Sequence, residues 1–313
     1  MARVFIDGQA GTTGLEISQR LRARDDIELL EIAVDARKEP SARVALMHEA
    51  DVTILCLPDD AAREAVALGG SQTRFLDAST AHRCASDWVY GCPELCPDQR
   101  SAIAEAQRVS NPGCYPQGFL LLIRPLIESG IVDPDLPLSV FGLSGYSGGG
   151  RSLIEKHQAF TPEQVEAQNT QPYALSLAHK HVPEMQHYSG CNHAPLFAPW
   201  VAHYYRGMLV QVPLFTRQFQ QQADADAIRQ LLVRRYADER FINVLEVDCA
   251  VEAGFLNACA CNGSNDMQLF VTGNDEQILL IARYDNLGKG ASGAAVQNLN
   301  LMLGEEESLG LSG

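Results

Sequence analysis

Cys114 stands out among the nine cysteines of the chain because of its position in the sequence. It lies in the segment Ser-Asn-Pro-Gly-Cys-Tyr-Pro (110–116), which follows a strand predicted at 108–110 and precedes an apolar helix predicted at 119–127. The N-terminal end of a helix carries partial positive charge and favours the thiolate, which is the nucleophilic form of cysteine. These residues predict a nucleophile at Cys114, whereas the other cysteines are interpreted as core or surface fillers.

Three glycines, Gly8, Gly11 and Gly14, follow the first predicted strand at the start of the first predicted helix. Backbone amides and the helix dipole at such a turn can hold a pyrophosphate, and glycine lets the phosphate approach closely. Thr12 and Thr13 add hydroxyl donors. The spacing predicts a dinucleotide-binding loop, with a purely structural turn as the alternative.

The residues after the second predicted strand bear on which coenzyme is bound. An acidic residue there would hold the ribose hydroxyls of NAD, whereas an arginine would pair with the 2′-phosphate of NADP. Asp35 favours NAD, and Arg37, Lys38 and Arg43 favour NADP. Since the basic residues outnumber the acid, NADP is predicted, and a solvated charge cluster on a loop is the alternative.

Short β-branched runs alternate with helix-like segments through about the first 110 residues. This alternation predicts a Rossmann-like, doubly wound parallel α/β sheet. The predicted strands are 3–6, 27–34, 52–57, 75–78 and 108–110, and the predicted helices are 13–24, 41–50 and 59–68. Ligands bind beyond the carboxyl ends of the strands in such a sheet, so the glycine loop and Cys114 are expected on the same face.

Longer strands are predicted after about residue 112, at 138–143, 195–205, 207–212, 267–272 and 277–283. They indicate a second, α+β domain with a mixed or antiparallel sheet. Tight turns predict two hairpins, one around residues 204–212 and one at 273–275. A helix predicted at 291–303 is expected to return to the first domain. Residues 1–112 and 288–313 are therefore assigned to dinucleotide binding, and 113–287 to catalysis, substrate binding and oligomerisation.

Composition excludes several classes of protein. With 46% apolar and 20% charged residues, the 313-residue chain is predicted to be globular rather than disordered. A formal net charge of −15 argues against nucleic acid as a partner. An odd number of cysteines without a CxxC pair, and an N-terminus without a signal-peptide pattern, predict a cytoplasmic protein. The longest apolar run is too short for a membrane anchor.

Six segments resemble the shorter variety of the N-acetyl-gamma-glutamyl-phosphate reductase family. The segment around Cys114 is similar to the active-site segment of that family, and the glycine loop is similar to its NADP loop. The other four are residues 77–83 (DASTAHR), 144–151 (SGYSGGGR), 179–185 (HKHVPEM) and 286–303, in matching order and spacing. Lys180 replaces the usual arginine, and Thr-Ala-His replaces Ala-Asp-Phe at 80–82, which leaves the role of His82 open.

The resemblance implies NADPH-dependent reductive dephosphorylation of N-acetyl-L-glutamyl 5-phosphate to the 5-semialdehyde, through a thioester on Cys114. His179 takes the role of acid and base, because an imidazole titrates near neutral pH. With the motifs above, the expected cofactor-binding residues are Gly8, Gly11, Thr12, Thr13, Gly14, Arg37, Ser79, Asn286 and Gly288. The expected substrate-binding residues are Arg83, Asn111, Ser147, Gly148, Arg151 and Lys180. By analogy with the family, a homo-oligomer (dimer or tetramer) is expected, acting on a small acyl phosphate in arginine biosynthesis.

Other functions compatible with these residues stay open. Aspartate-semialdehyde dehydrogenase and the carrier-protein-linked reductase of lysine biosynthesis share the scaffold and the thiol chemistry, and the HKHVPE segment favours the N-acetylglutamyl enzyme over the aspartyl one. His179 and His181 could chelate a metal if they were alternate residues of a strand, but a third ligand is lacking, and no metal is predicted. A non-catalytic NADP-sensing protein is the alternative from a different class.

Overall fold

The computed structural model describes residues 1–313, and the chain divides into two compact units. The first unit contains Met1–Pro112 and Ala291–Ser312, and the second contains Gly113–Gly290 and Gly313. None of the helices combines the length and the apolar character that a membrane crossing requires.

Strands and helices alternate in the first unit. The strands are β1 (Ala2–Asp7), β2 (Ile27–Leu30), β3 (Val52–Leu55), β4 (Phe75–Asp77), β5 (Val89–Tyr90) and β6 (Arg108–Ser110). The helices are α1 (Thr12–Arg22), α2 (Pro40–Glu49), α3 (Asp59–Gly69) and α4 (Gln99–Glu105). All six strands are parallel, in the order β2-β1-β3-β4-β6-β5, which confirms the predicted doubly wound α/β sheet.

Strand β1 is the second strand of the sheet and is buried on both faces. Alternate residues of a strand point to opposite faces of the sheet. Val4 and Ile6 pack in the same hydrophobic layer as Ile17 of α1, whereas Phe5 packs in the opposite layer with Met47 of α2. A strand covered by helices on both sides requires a continuous apolar run, which residues 4–6 provide.

Arg43, which the sequence suggested for a coenzyme phosphate, is committed to an ion pair inside the first unit. Its Nε and Nη2 atoms donate to the Asp7 carboxylate at 3.0 and 2.8 Å. Both side chains are only 9% exposed. The pair joins α2 to the last residue of β1, immediately before Gly8. Arg43 therefore stabilises the start of the glycine loop through Asp7.

The second unit begins with a long helix and contains a large sheet. Its helices are α5 (Cys114–Glu128), α6 (Gly150–Gln158), α7 (Pro162–Gln168), α8 (Val182–Ser189) and α9 (Ala225–Arg235). Its strands are β7 (Ser139–Gly145), β8 (Thr170–Pro172), β9 (Leu196–Ala202), β10 (Met208–Phe215), β11 (Ile242–Leu245), β12 (Val251–Glu252), β13 (Phe255–Leu256), β14 (Met267–Gly273) and β15 (Gln277–Tyr284). Seven strands form a mixed sheet in the order β11-β14-β15-β10-β7-β9-β8, which confirms the predicted α+β architecture.

One of the two predicted hairpins is formed. Strands β14 and β15 pair antiparallel, as predicted from the turn after Gly273. The hairpin predicted around residues 204–212 is wrong, because β9 and β10 lie on opposite sides of β7. The carbonyls of Tyr204 and Tyr205 instead accept hydrogen bonds of 2.9 and 3.0 Å from the amides of Tyr146 and Ser147, which follow β7. A turn signal shows where the chain reverses but not which strand lies beside it.

Helix α5 starts at Cys114, earlier than the predicted residue 119. The first-turn N–H groups of a helix have no intrahelical partner, so Pro116, which lacks an N–H, is tolerated there. Residues 115–123 are buried without interruption. Cys114 is therefore the first residue of a helix that lies in the core of the second unit.

The chain ends with helix α10 (Gly293–Leu303), which follows a π-helical turn at Gly288–Ser292. Val296 and Leu299 of α10 pack in the same hydrophobic layer as Val4 of β1. The C-terminal helix is thus part of the core of the first unit, and the unit boundary falls within the π-helical turn.

We expect Arg43→Met to lower the free energy of unfolding by about 3 kcal/mol, because it leaves the buried Asp7 carboxylate without its charge partner. The pair between Arg22 and Glu31 provides the control, since these side chains are 57% and 61% exposed. Arg22→Met should cost less than about 1 kcal/mol. Urea unfolding measures both variants, and equal small losses would show that the buried pair does not stabilise the unit.

Candidate active site

The candidate nucleophile, Cys114, is half-buried at the N-terminal end of α5. The N-cap is Gly113, which has extended backbone angles and no capping side chain. Its N–H donates to the buried carboxylate of Glu184 at 3.0 Å, which ties α8 to the start of α5. The first-turn N–H groups of a helix have no intrahelical partner, and together with the helix dipole they give this end of the helix partial positive charge.

Four of the other cysteines have an environment that disfavours the thiolate. Burial raises the pKa of Cys56 to about 12 and that of Cys261 to about 11. Burial also raises the pKa of Cys191 and Cys259. None of the four is the first residue of a helix. Location at a helix N-terminus, which the sequence pointed to, therefore distinguishes Cys114 from them.

His179 lies in the turn before α8 and not on a strand. His181, which the metal alternative would need on the same strand face, is the N-cap residue of α8. The His181 N–H donates to Nδ1 of His179 at 3.1 Å. In the neutral His179 ring the proton therefore lies on Nε2, which is then available as a donor. The structure contains no group of three or more His, Cys, Asp or Glu residues that could hold a metal.

Two tyrosines connect the surroundings of Cys114 and His179. The His179 ring makes edge contacts with Tyr115 and Tyr173, at centroid distances of 6.2 and 5.7 Å. The Tyr173 hydroxyl donates to the Tyr115 hydroxyl at 3.3 Å. Burial raises the pKa of both tyrosines, and the negative charge of Cys114 raises each further. His179 thus packs against Tyr115, the residue next to Cys114 in the chain, in a cluster whose tyrosines stay protonated.

Sequence reasoning missed Tyr173 and the structural role of Glu184. Tyr173 is distant in sequence from Cys114 and belongs to no motif that the sequence offered. In the sequence, Glu184 appears only as part of the HKHVPE segment, whereas in the structure its carboxylate accepts from the N-cap amide of α5. Tyr115 could have been found, because it is the neighbour of Cys114 and the first apolar residue of the helix.

The glycine-rich segment after β7 holds three of the expected substrate-binding residues. Ser147 is buried, and its hydroxyl accepts a hydrogen bond of 2.9 Å from the Asn286 amide. Gly148 is exposed. Arg151 is also exposed and pairs with Glu155 one turn further along α6. Backbone amides and a guanidinium in this segment are accessible to an anion.

Three further residues of the second unit were expected to bind the substrate or the coenzyme. One is an exposed lysine, and the other two are buried and packed against neighbouring segments. Lys180 is exposed beside His179. The buried side chain of Asn286 accepts from the Gly207 N–H at 2.8 Å while its amide binds Ser147. Gly288 has no room for a side chain, since a Cβ would lie 2.4 Å from the Ser264 carbonyl oxygen. Asn286 therefore joins the segments that follow β7, β9 and β15.

In the first unit, the glycine loop is a tight turn between β1 and α1. Gly8 has a φ of +90°, and a Cβ there would lie 2.4 Å from the Cys56 carbonyl oxygen. A Cβ on Gly14 would lie 2.8 Å from the Gly8 carbonyl oxygen. Thr12 is the first residue of α1, with Thr13 next to it. The turn thus leads directly into the N-terminus of α1, and two of its glycines are required by the fold itself.

The loop after β4 contains Ser79 and a buried carboxylate, Asp77. The Ser79 hydroxyl donates to Asp77 at 2.7 Å, and Nδ1 of His82 lies 2.6 Å from the same carboxylate. The His82 ring stacks on Trp88 at a centroid distance of 4.2 Å. His82, whose role the sequence left open, therefore holds the carboxylate that orients Ser79.

Arg83 and Asn111 form a second linked group in the first unit. Nε of the buried Arg83 donates to the Asn111 carbonyl at 3.0 Å. The Asn111 amide donates to the Ala291 carbonyl at 3.1 Å and accepts from Asn298 at 3.1 Å. These bonds fix the end of the β6 segment that leads to Cys114. Arg37 and Lys38 are exposed in the turn before α2.

Solved structures similar to this chain show a shared fold. Aspartate semialdehyde dehydrogenase II from Vibrio cholerae, complexed with ASA, has a TM-score of 0.72 and 16% identity, covering 97% of this chain and 98% of that one. Aspartate semialdehyde dehydrogenase with NADP from Candida albicans has a TM-score of 0.67 and 12% identity, with coverage of 97% and 98%.

Sequence comparisons are closer and span nearly the whole chain. A family model described as semialdehyde dehydrogenase, dimerisation domain, matches residues 114–286. N-acetyl-gamma-glutamyl-phosphate reductase 2 from Nostoc sp. is 52% identical over 99% of both chains. N-acetyl-gamma-glutamyl-phosphate reductase 2 from Pseudomonas putida is 47% identical over 98% of both. The chain therefore belongs to the N-acetyl-gamma-glutamyl-phosphate reductase family.

Proposed function

We propose that this protein catalyses the NADPH-dependent reductive dephosphorylation of N-acetyl-L-glutamyl 5-phosphate to N-acetyl-L-glutamate 5-semialdehyde, a step of arginine biosynthesis. The observation that carries the proposal is that Cys114 is the first residue of α5, while the His179 ring packs against Tyr115, the next residue of that helix. Full-length relatives with the corresponding name supply the substrate class.

The reaction requires a thiolate and a route for one proton. The Cys114 thiolate attacks the acyl carbon, the C–O bond to phosphate breaks, and a thioester forms. Bound NADPH supplies a hydride for the thioester carbonyl. The resulting hemithioacetal oxyanion re-forms its C=O bond as the C–S bond breaks, which releases the aldehyde and returns the sulfur as the thiolate that began the cycle. The one proton of the net reaction goes to the departing phosphate. First-turn N–H groups of α5 stabilise the thiolate and the oxyanion.

His179 is the proposed proton carrier. Because Nδ1 accepts from the His181 N–H, Nε2 is the nitrogen that can donate to an oxyanion. Tyr115 and Tyr173 keep their own protons, since their pKa values are raised. Imidazole is thus the group of this cluster that exchanges a proton near neutral pH.

Anion binding is proposed for the exposed groups of the second unit. Lys180, Arg151 and the amide of Gly148 can meet the phosphate and carboxylates of the substrate, against a net charge of −15. Arg83 and Asn111, also proposed for the substrate, hold each other by a 3.0 Å hydrogen bond in the first unit. The nine free thiols support the proposal of a reducing, cytoplasmic compartment.

We expect Cys114→Ser to reduce turnover more than about a thousandfold, because removal of a nucleophile eliminates the covalent route. The assay runs in the phosphorolytic direction with N-acetylglutamate semialdehyde, phosphate and NADP. Cys249→Ser, which changes an exposed cysteine, is the control and should retain wild-type turnover. NADPH affinity should not change in either variant.

Each contrary outcome of this assay identifies a different alternative. Turnover of aspartate semialdehyde in place of the N-acetylglutamyl substrate would favour aspartate-semialdehyde dehydrogenase activity. A wild-type protein that binds NADPH but turns over no acyl phosphate would be a coenzyme sensor. Full turnover by Cys114→Ser would exclude the thioester route.

We propose the glycine loop, Ser79 and the Asn286–Gly288 segment for the coenzyme, and NADPH in preference to NADH. The glycine loop leads into the N-terminus of α1, where backbone amides and the helix dipole would hold a pyrophosphate. Arg37 lies exposed after β2, where a guanidinium can bind a 2′-phosphate in a charge-assisted, two-point contact.

Arg37→Ser should raise KM for NADPH about tenfold and leave KM for NADH unchanged, because only NADPH carries the 2′-phosphate. Gly11→Ala is the comparison variant. A Cβ there would meet no atom closer than 3.6 Å, so the fold tolerates it, while the methyl group would obstruct a pyrophosphate and weaken both coenzymes. Steady-state kinetics with each coenzyme measure these effects. If Arg37→Ser raised KM for NADPH and KM for NADH equally, Arg37 would not bind the 2′-phosphate.

We propose that the protein forms a homo-oligomer, dimer or tetramer, through the open face of the sheet of the second unit. Phe141, Leu196, Trp200 and Phe215 lie on one face by strand register and are 43%, 48%, 38% and 36% exposed. Contiguous apolar surface of this kind marks an association site. The family model over this region carries the description of a dimerisation domain.

Phe141→Glu should shift the protein toward monomers in sedimentation velocity, because a carboxylate cannot be buried on this face without a partner. Val34→Glu is the control, since Val34 is 76% exposed and belongs to the first unit. An unchanged sedimentation coefficient for Phe141→Glu would place the interface elsewhere.

A further inference from the structure

The hydroxyl of Tyr284 lies at the first turn of the nucleophile helix. Tyr284 is the last residue of β15 and is fully buried. Its hydroxyl donates to the Cys114 carbonyl at 2.5 Å and accepts from the Gly118 N–H at 3.3 Å. Residues four apart are the ends of one turn of an α-helix. The Tyr284 hydroxyl therefore bonds both ends of the turn that begins with the nucleophile.

The helix surface is shaped to admit this hydroxyl. A Cβ on Gly118 would lie 2.8 Å from the Tyr284 oxygen and 3.0 Å from its ring, so only glycine leaves enough space. Two further contacts come from the segment after β15. The Lys289 carbonyl accepts from the Gln117 side chain at 2.8 Å, and a Cβ on Gly290 would lie 3.1 Å from Cβ of Cys114.

A hydrogen bond to a peptide oxygen polarises the whole peptide group. The Cys114 carbonyl shares its peptide with the N–H of Tyr115, which is one of the first-turn donors without an intrahelical partner. Donation by the Tyr284 hydroxyl makes that N–H a stronger donor and holds it in a fixed direction. A group that acts through the backbone in this way needs no contact with the substrate.

We propose that Tyr284 is a positioning residue for Cys114, whose hydroxyl fixes and polarises the first turn of α5 and so supports the thiolate. This inference depends on the proposed function, in which Cys114 is the nucleophile. It predicts that loss of one oxygen atom, outside the substrate site, slows reactions of the thiolate.

Tyr284→Phe keeps the buried ring and removes the hydroxyl, so it tests the inference directly. The matched control is Tyr236→Phe, because the buried Tyr236 hydroxyl donates to the Leu121 carbonyl of the same helix at 2.7 Å, away from the nucleophile. The readouts are the rate of Cys114 alkylation by iodoacetamide from pH 5 to 10, located by peptide mass spectrometry, together with kcat and the thermal midpoint.

For Tyr284→Phe we expect the alkylation profile of Cys114 to move to higher pH, with about tenfold slower labelling at neutral pH and a similar loss of kcat. NADPH affinity should stay unchanged. Tyr236→Phe should lower the thermal midpoint without moving the alkylation profile. If Tyr284→Phe also affects only the thermal midpoint, the hydroxyl is merely structural and the inference is overturned.

A second variant covers the case in which Tyr284→Phe does not fold. Gly118→Ala displaces the hydroxyl by steric contact and should slow labelling of Cys114 in the same direction, whereas an unchanged profile would overturn the inference. Failure of the proposed function is distinguishable from either result. It would appear in the unmutated protein, as iodoacetamide labelling of another cysteine or as turnover that survives Cys114→Ser.

Discussion

The position of Cys114 at the positive end of a buried helix is the constraint on which the chemistry depends. A charge near a helix N-terminus gains about 0.3 to 1 kcal/mol at the surface and up to about 2 kcal/mol when partly buried. The chain carries a net charge of −15, so this local potential has to act against the global field. Burial of α5 lowers the surrounding dielectric and strengthens the local term, while half-exposure of Cys114 leaves access for a substrate.

The same side-chain type behaves differently elsewhere in the molecule. Cys56 is half-buried and is not the first residue of a helix; desolvation, with the negative charges of Asp77 and Asp7, raises its pKa to about 12. Around Cys114, burial acts on Tyr115 and Tyr173 instead, and raises their pKa values. The surroundings thus keep the protons on the two tyrosines, so the proposed proton transfer falls to the His179 imidazole. The tyrosines and the histidine thus have different acid–base roles because burial desolvates the tyrosine hydroxyls.

The sequence predicted those features of the fold and of the candidate site that are determined by residues close together in the chain. The strand–helix alternation, the glycine loop and the helix start near Cys114 all depend on neighbouring residues, and the parallel sheet and the mixed sheet were predicted from them. The hairpin around 204–212 was wrong because pairing depends on β7, which is distant in sequence. The structural roles of Arg43 and Tyr284 could not be predicted from the sequence for the same reason. Their partners, Asp7 and Cys114, are set by tertiary packing.

Chain connectivity explains why a distant strand controls the nucleophile. The chain enters the second unit at Gly113 and leaves it after Gly290, and both residues adjoin Cys114, one by a peptide bond and one by close packing. Within the first unit, the corresponding positions Asn111 and Ala291 are joined by a 3.1 Å hydrogen bond. The segment through which the chain enters the second unit and the segment through which it leaves are therefore neighbours in each unit. Because β15 leads directly into the leaving segment, Tyr284 reaches α5 at its first turn, where a single hydroxyl can act on the thiolate through the backbone.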